Sequence, residues 1–463
     1  MKKGLFQILS ANLILLVLNI ANSFLLPKFL SIDSYAVLKT YTLYIGYVGF
    51  LSLGYADGIY LDYGGKRISD FSLNDVGADL KSYFALEGIL SAVVLVVSLI
   101  VHNVILAAFA IGSLLINIIG YYKNLYQAVG DYKLYGWTLN AQTILMVIFN
   151  LILIFAAKVD NPHFYIGSQL FSAAIIAFYL TFTFVKRTEI LNQGKVALTR
   201  INQNVSSGFV LMLGNFSSSI FTSIDRWFVK ALMTNIAFAQ YSFAVSLENL
   251  INVFVTPVTV SLYNVFCTKR DTEYVLKVKR MALLWGFLLI TAAFPVKLIL
   301  KFYLTKYIDS SSIIFTLFAA QAFYTVIKGI HINLYKVERK QNRYFVVMAV
   351  MIALAILLNV VFYLIEKSAR SFAFATLLTA ILWFVYCEIE RRDLHYSVKE
   401  YLFIILLLLV YSFAGGLNSV DLGLIIYCVT YVVLALLLMR DSIKQLLDLL
   451  RTTISGHTEK EDK

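Results

Sequence analysis

Runs of about twenty apolar residues recur along the whole chain, each long enough to cross the hydrocarbon of a bilayer as a helix. Spans can be drawn over 6–26, 36–60, 83–101, 104–126, 134–157, 164–185, 208–232, 237–266, 281–302, 313–335, 344–365, 372–387, 401–414 and 422–439, about fourteen in all. In lipid every backbone N–H and C=O must be satisfied within the protein, so long apolar runs of this kind leave a helical bundle as the available fold class. The ten-residue alternating segments of a membrane β-barrel are missing. Composition agrees: 60% of the 463 residues are hydrophobic and 14% charged, with a mean hydropathy of +0.78. A soluble domain is about 45–50% apolar. The predicted fold is all-α and polytopic.

The amino terminus, Met1-Lys2-Lys3 followed by a run to Leu26, imitates a secretory signal. The run is longer than a signal's apolar core and leads into Pro27-Lys28 without a small-residue cleavage site, so it reads as the first span. The three cysteines, Cys267, Cys387 and Cys428, are scattered without disulfide or metal spacing and read as apolar fillers.

A net charge of +12 in a soluble chain would suggest nucleic acid as a partner. Here Lys and Arg gather in alternate connections: Lys2 and Lys3; Lys66, Arg67 and Lys81; Lys186, Arg187, Lys195 and Arg200; Lys269, Arg270, Lys277, Lys279 and Arg280; Lys336, Arg339, Lys340 and Arg343. That asymmetry sets membrane orientation and makes these connections cytoplasmic. Nucleic acid is therefore not an expected partner, and both termini are expected in the cytoplasm. The opposite loops, such as His102-Asn103 and 415–421, are short and nearly uncharged. The polar tail beyond Arg440 reads as cytoplasmic, and as disordered from Thr452.

The spans divide into a six-helix lobe at 1–185, a cytoplasmic linker at 186–207, a second six-helix lobe at 208–388, two additional helices at 389–440 and a tail at 441–463. The lobes look related. Asn124 opens NLYQAVGDYKLY and Asn333 opens NLYKVERKQNRY, 209 residues later, and at the same offset Gly120 matches Gly329, Leu145 matches Leu354 and Asn150 matches Asn359. Six helices per half make such repeats parallel, related by an axis along the membrane normal, with a substrate path expected between them.

Charge inside a span is expensive, about 2.5–3.5 kcal/mol for Asp or Arg at a helix centre, and marks a partner or a water-filled cavity. Asp225 and Arg226 stand side by side in the apolar stretch 208–233. At helical spacing, Asn215, Ser218, Ser219, Thr222 and Arg226 share one face of that span. Asn12, Asn19 and Ser23 align in the first span, Tyr241, Glu248 and Asn252 in the eighth, and Gln321, Tyr324, Lys328, His331 and Tyr335 in the tenth. Asp57 and Lys39 lie in the second span. Lone Asn and Ser residues read first as helix–helix glue, each contributing about 0.6 kcal/mol. Arg226 and Lys328 read equally as ligand-binding cations or as halves of ion pairs, Asp225 with Arg226 or Lys230, and Glu248 with Lys328. Lys39 and Lys230 read first as snorkelling cations, Glu87 as facing the cytoplasm, and His331 as a hydrogen-bonded histidine before a proton carrier. Aromatic residues, 15% of the chain, read as interfacial belts and packing.

A P-loop, an H-E-x-x-H, a nucleophile elbow and a metal-ligand cluster are all missing from the sequence. The chain reads as a non-enzyme, with no cofactor and no catalytic or metal residues expected.

Two segments carry a family resemblance. SLGYADGIYLDYGGK closes the second span, from Ser52 to Lys66, and SIDRWFVKALMTNIAFAQYSFAVSLENLINVF joins the seventh to the eighth, from Ser223 to Phe254. With PKFLS at the end of the first span and NLYQAVGDY, they resemble the polysaccharide-transport (Wzx-type flippase) family of the multidrug/oligosaccharidyl-lipid/polysaccharide exporter superfamily, over nearly the whole chain. The resemblance implies a two-lobed bundle with a central cationic cavity, moving undecaprenyl-diphosphate-linked oligosaccharides across the cytoplasmic (inner) membrane by alternating access, for O-antigen, lipopolysaccharide or capsule assembly. Asp225 and Arg226 match the family's Asp-Arg pair, and Asp57 its second-span Asp-Gly. The family often has Tyr-Pro at the end of the eighth span, where this chain has Tyr263-Asn264, with Pro257 the nearest proline.

On this reading Arg226, Lys328, Lys39, Asn215 and Tyr324 bind substrate, and Asp225, Glu248, Asp57 and His331 pair charges or couple an ion. The partners are the lipid-linked oligosaccharide, membrane lipid, and a polysaccharide polymerase with its chain-length protein. The alternatives are a cation-coupled multidrug antiporter of the same superfamily and a membrane enzyme of polysaccharide assembly.

Overall fold

The computed structural model describes residues 2–444. Most of the polar tail, from residue 445, lies outside the described residues, as does the side chain of Asn12 in the first-span stripe. Every regular element described is helical. Among the described residues eleven helices are long and apolar enough to span a membrane, or thirteen if each of two bent pairs counts as one span. The molecule is a multi-pass helical membrane protein.

The chain forms two compact units, one of residues 1–230 and 234–239, the other of 231–233 and 240–463. The first contains α1 (Lys2–Phe29), α2 (Ile32–Ile45), α3 (Val48–Leu51), α4 (Tyr55–Asp62), α5 (Leu73–Ile100), α6 (Val104–Ala128), α7 (Tyr132–Leu151), α8 (Pro162–Thr188), α9 (Leu198–Phe221) and nearly all of α10 (Ile224–Leu232). α11 (Asn235–Thr268) passes from the first unit into the second, which continues with α12 (Thr272–Leu289), α13 (Ala293–Phe302), α14 (Ser310–Val326), α15 (Ile332–Val337), α16 (Gln341–Ile365), α17 (Ala369–Glu390), α18 (Val398–Gly416) and α19 (Val420–Leu438).

Capping sets where these helices start, because apolar runs by themselves leave the ends undefined. Ser72 accepts from Asp75 N before α5, Asn103 from Leu106 N before α6, and Asp271 from Tyr274 N before α12. Each satisfies an N–H that the helix itself leaves open. The short 401–414 span grows to the nineteen residues of α18, opened by a capping box between Ser397 and Glu400. α11 is helical straight through Pro257.

Two spans drawn as continuous are bent. The second breaks by 54° at Gly54, whose φ of +86° suits glycine, and the seventh by 50° between α9 and α10. Asp225 and Arg226 therefore occupy the first turn of a new half-helix rather than the middle of a continuous one, and Arg226 leaves the straight stripe predicted from Asn215.

In the first unit α4 lies directly on α9. A Cβ added to Gly208 would fall 2.0 Å from the Gly54 oxygen, and one on Gly58 would fall 2.1 Å from the Asn204 oxygen, so the crossing requires both glycines. The core beside it is built on tyrosines. Tyr55 donates to the Asp79 carbonyl at 2.9 Å, Tyr63 to the Asp79 carboxylate at 2.9 Å, and Tyr83 to the Asn117 carbonyl at 2.9 Å. These rings pack helices together, with their hydroxyls spent on neighbouring backbone and carboxylate.

In the second unit the run from Ser310 to Val337 is 94% buried over its most apolar window and forms the core. Lys279, placed by the loop pattern in a basic cytoplasmic connection, is instead a fully buried residue of α12. It pairs with Glu388, donates to the Leu394 carbonyl at 2.7 Å and lies 4.2 Å from the Tyr396 ring centroid. Tyr401 completes the Glu388 shell at 2.8 Å, and Arg280 meets Glu400 at 2.6 Å. Beyond the end of α17, Arg391 bridges Glu338 at 2.6 Å and Asp393 at 3.0 Å.

Candidate functional site

The bends of the first unit bring its polar residues together. A broken helix frees backbone groups that must find other partners at membrane depth. Here Thr222 donates to the Ser218 carbonyl at 3.0 Å, and Ser223 bonds the Tyr47 hydroxyl. Tyr47 accepts from the Trp227 indole at 2.8 Å, and Trp227 stacks on Tyr44 with ring centroids 5.5 Å apart. The bend between α2 and α4 is thus tied to the bend between α9 and α10.

Arg226 begins α10 beside this tie, and its charge and that of Lys39 repel each other at a distance. Bringing two cations together is unfavourable unless an anion or water compensates them. Arg226 has a buried Nε that bonds nothing among the described residues. Asp225, buried, accepts the Arg226 backbone N–H at 2.7 Å. Lys230, the other cation considered for Asp225, donates to Asn235 at 3.1 Å and lies over the Phe238 ring. Lys39 lies 5.1 Å from the Tyr35 ring centroid.

The close α4–α9 crossing also sets Asp57 opposite Asn215, whose amide donates to it across 3.4 Å. Both line a cavity of about 270 Å³, together with Asn117, Lys123, Asn124 and Ser219. Lys123 attracts Asp57 electrostatically. Asn124 donates to the Ala56 carbonyl at 3.1 Å, and Asn117 to the Val48 carbonyl at 3.0 Å and the Glu87 carboxylate at 2.9 Å. Glu87, read as facing the cytoplasm, is fully buried. Arg226 and Lys39 do not line this cavity.

In the second unit the polar residues of the tenth span are redirected by a π-helical turn, Ile327–His331, between α14 and α15. Such a turn inserts one extra residue, so side chains beyond it leave the α-helical stripe. Lys328 donates to Asn252 at 3.1 Å, lies 5.5 Å from the Tyr324 ring centroid and attracts Glu248. Glu248 accepts from Gln321 at 2.6 Å. His331, one turn on, is buried, and its Nε2 has no bond among the described residues.

Of the residues read from sequence, Asp57 meets Asn215, Lys328 meets Asn252 and Tyr324 and is attracted to Glu248, and Arg226 and Lys39 interact by charge, while no bond joins His331 to Lys328 among the described residues. Sequence reading missed Lys123, Glu87 and Asn117. Lys123 had a visible signal, a cation one residue before the NLYQAVGDY segment and inside a span. Glu87 had none, because the span drawn from 83 puts it near an end, where a solvated carboxylate fits equally well, whereas α5 begins at Leu73 and places it mid-helix.

Residues 83–269 match the family model described as polysaccharide biosynthesis protein. No curated protein sequence matches the chain. Among solved structures, lipid II flippase MurJ in an inward closed conformation is similar at a TM-score of 0.70 and 14% identity, covering 96% of this chain and 100% of that one. An inward-facing multidrug resistance MATE family transporter of the MOP superfamily is similar at a TM-score of 0.54 and 14% identity, over 83% of this chain and 95% of that one. A match to the family model described as polysaccharide biosynthesis protein thus covers residues 83–269 of a chain that has the fold of the solved MurJ and MATE transporters.

Proposed function

We propose that this chain is a flippase for undecaprenyl-diphosphate-linked oligosaccharides, serving surface polysaccharide assembly in the cytoplasmic membrane. The observation that carries this reading is Arg226 in the first turn of the half-helix α10, its buried Nε without a bond among the described residues. A diphosphate cannot cross hydrocarbon with its hydration shell, and fixed cations replace that shell. The forked guanidinium of Arg226 suits phosphate oxygens, and the flexible ammonium of Lys39 adds a second charge. The first turn of a half-helix adds the positive end of its dipole, of the same sign. Lys328 supplies a further cation in the second unit, held by Asn252 and Glu248.

The test is export of surface polysaccharide from a strain whose own copy is deleted. Arg226→Ala is expected to abolish export at normal protein level, and Arg226→Lys to restore part of it. Normal export by Arg226→Ala at normal level overturns the phosphate role. Unchanged polysaccharide in the deletion strain, with altered drug resistance, favours the antiporter reading instead.

A further inference from the structure

A second cavity in the first unit, of about 520 Å³, lies where α7 begins and α8 ends. Its wall is apolar, with Leu134, Leu180 and Phe184. Its rim carries two exposed cations, Lys133 in the first turn of α7 and Arg187 in the last turn of α8. Neither takes part in an ion pair or a hydrogen bond among the described residues. The carboxylate on the lining, Asp131, is committed to capping α7, where it accepts the Leu134 N–H at 3.2 Å. Trp137 and Tyr179 complete the rim, their ring centroids 4.9 Å apart and 41% and 49% exposed.

These features select an amphiphile. Trp and Tyr side chains settle at the headgroup level of a bilayer. Basic pockets between spanning helices hold acidic headgroups. A soluble anion would satisfy the two cations and leave the apolar wall uncovered, and a zwitterionic lipid would bring its own ammonium against Lys133 and Arg187. We infer that this cavity binds an anionic glycerophospholipid of the adjoining leaflet, its phosphate between Lys133 and Arg187 and the start of an acyl chain along Trp137, Leu134 and Phe184. The site shares no residue with the Arg226 region and does not depend on the flippase reading.

The experiment uses the full chain in vesicles of phosphatidylcholine mixed with phosphatidylglycerol, with bromine on the acyl chains of one lipid at a time and tryptophan fluorescence as the readout. Brominated phosphatidylglycerol is expected to quench several-fold more efficiently per mole than brominated phosphatidylcholine. That excess disappears in Trp137→Phe, which identifies the reporting ring, and in Lys133→Ala/Arg187→Ala. Native mass spectrometry of the detergent-released protein gives a second measure: phosphatidylglycerol retained by the natural chain and lost from the double variant. Equal quenching by the two lipids, or an excess that survives the double variant, overturns the assignment. If the double variant folds poorly, equal quenching of the natural chain by the two lipids still refutes the site.

Discussion

Two charge clusters, one in each unit, are built on opposite principles. In the second unit Lys279 is sealed inside protein and answered at once by Glu388, the Leu394 carbonyl and the Tyr396 ring. In the first unit Arg226, at the bend of a broken span, is repelled by another cation, Lys39, with part of its guanidinium unbonded among the described residues. A matched charge ties α12 to α17 and serves the fold. A like-charged pair works against the fold locally. The difference lies in the surroundings and not in residue type.

The largest expected effect separates the two directly. Lys279→Leu leaves Glu388 buried and unanswered and is expected to cost about 3–5 kcal/mol of stability, read as a large fall in the thermal unfolding midpoint in detergent, with much of it recovered in Lys279→Leu/Glu388→Leu. Arg226→Leu, the same kind of substitution, is expected to leave the midpoint nearly unchanged while substrate affinity falls. A lost charge-assisted bond of about 1.5–3 kcal/mol corresponds to a tenfold to hundredfold weakening, measured by binding of the lipid-linked diphosphate to the purified protein. If Arg226→Leu unfolds the protein as Lys279→Leu does, the contrast between the clusters is broken.

Smaller effects refine it. Gln321→Leu removes the amide that serves Glu248 and is expected to cost about 1–3 kcal/mol, visible as a modest drop in the unfolding midpoint. The smallest concerns pH. Beyond the end of α17, the hydrogen bond from Arg391 holds the Asp393 carboxyl below its usual range. A lowered folded value means stability that is fully present above the ordinary carboxylate range and lost as pH falls through it. Arg391→Ala is expected to flatten that acid-side decline slightly in unfolding midpoints taken at successive pH values, the effect being small because Asp393 is partly exposed.

Much of the architecture was legible in the residues. Runs of apolar side chains dictate spanning helices whatever their neighbours, and the spans drawn at 104–126 and 344–365 lie almost on α6 and α16. The charged residues at 57, 226 and 328 stood out because charge in such runs is rare. Their company was not legible. Asp57 meets Asn215 only because Gly58 and Gly208 let two backbones touch, and the charge of Lys39 acts on Arg226 beside two bends that share the bonds of Tyr47. His331 left the Lys328 stripe through one extra residue in a π-helical turn, which helical spacing does not foresee.

The amino-acid order by itself determined that this protein lives in a membrane as a helical bundle, because hydrocarbon offers the backbone no hydrogen bonds and the apolar runs leave no other way to satisfy it. Which charges meet an opposite charge and which face a like one was decided by tertiary structure. Coulomb interaction depends on distance and surroundings, and the spacing of Lys279 from Glu388, or of Lys39 from Arg226, exists only once the helices have bent and packed.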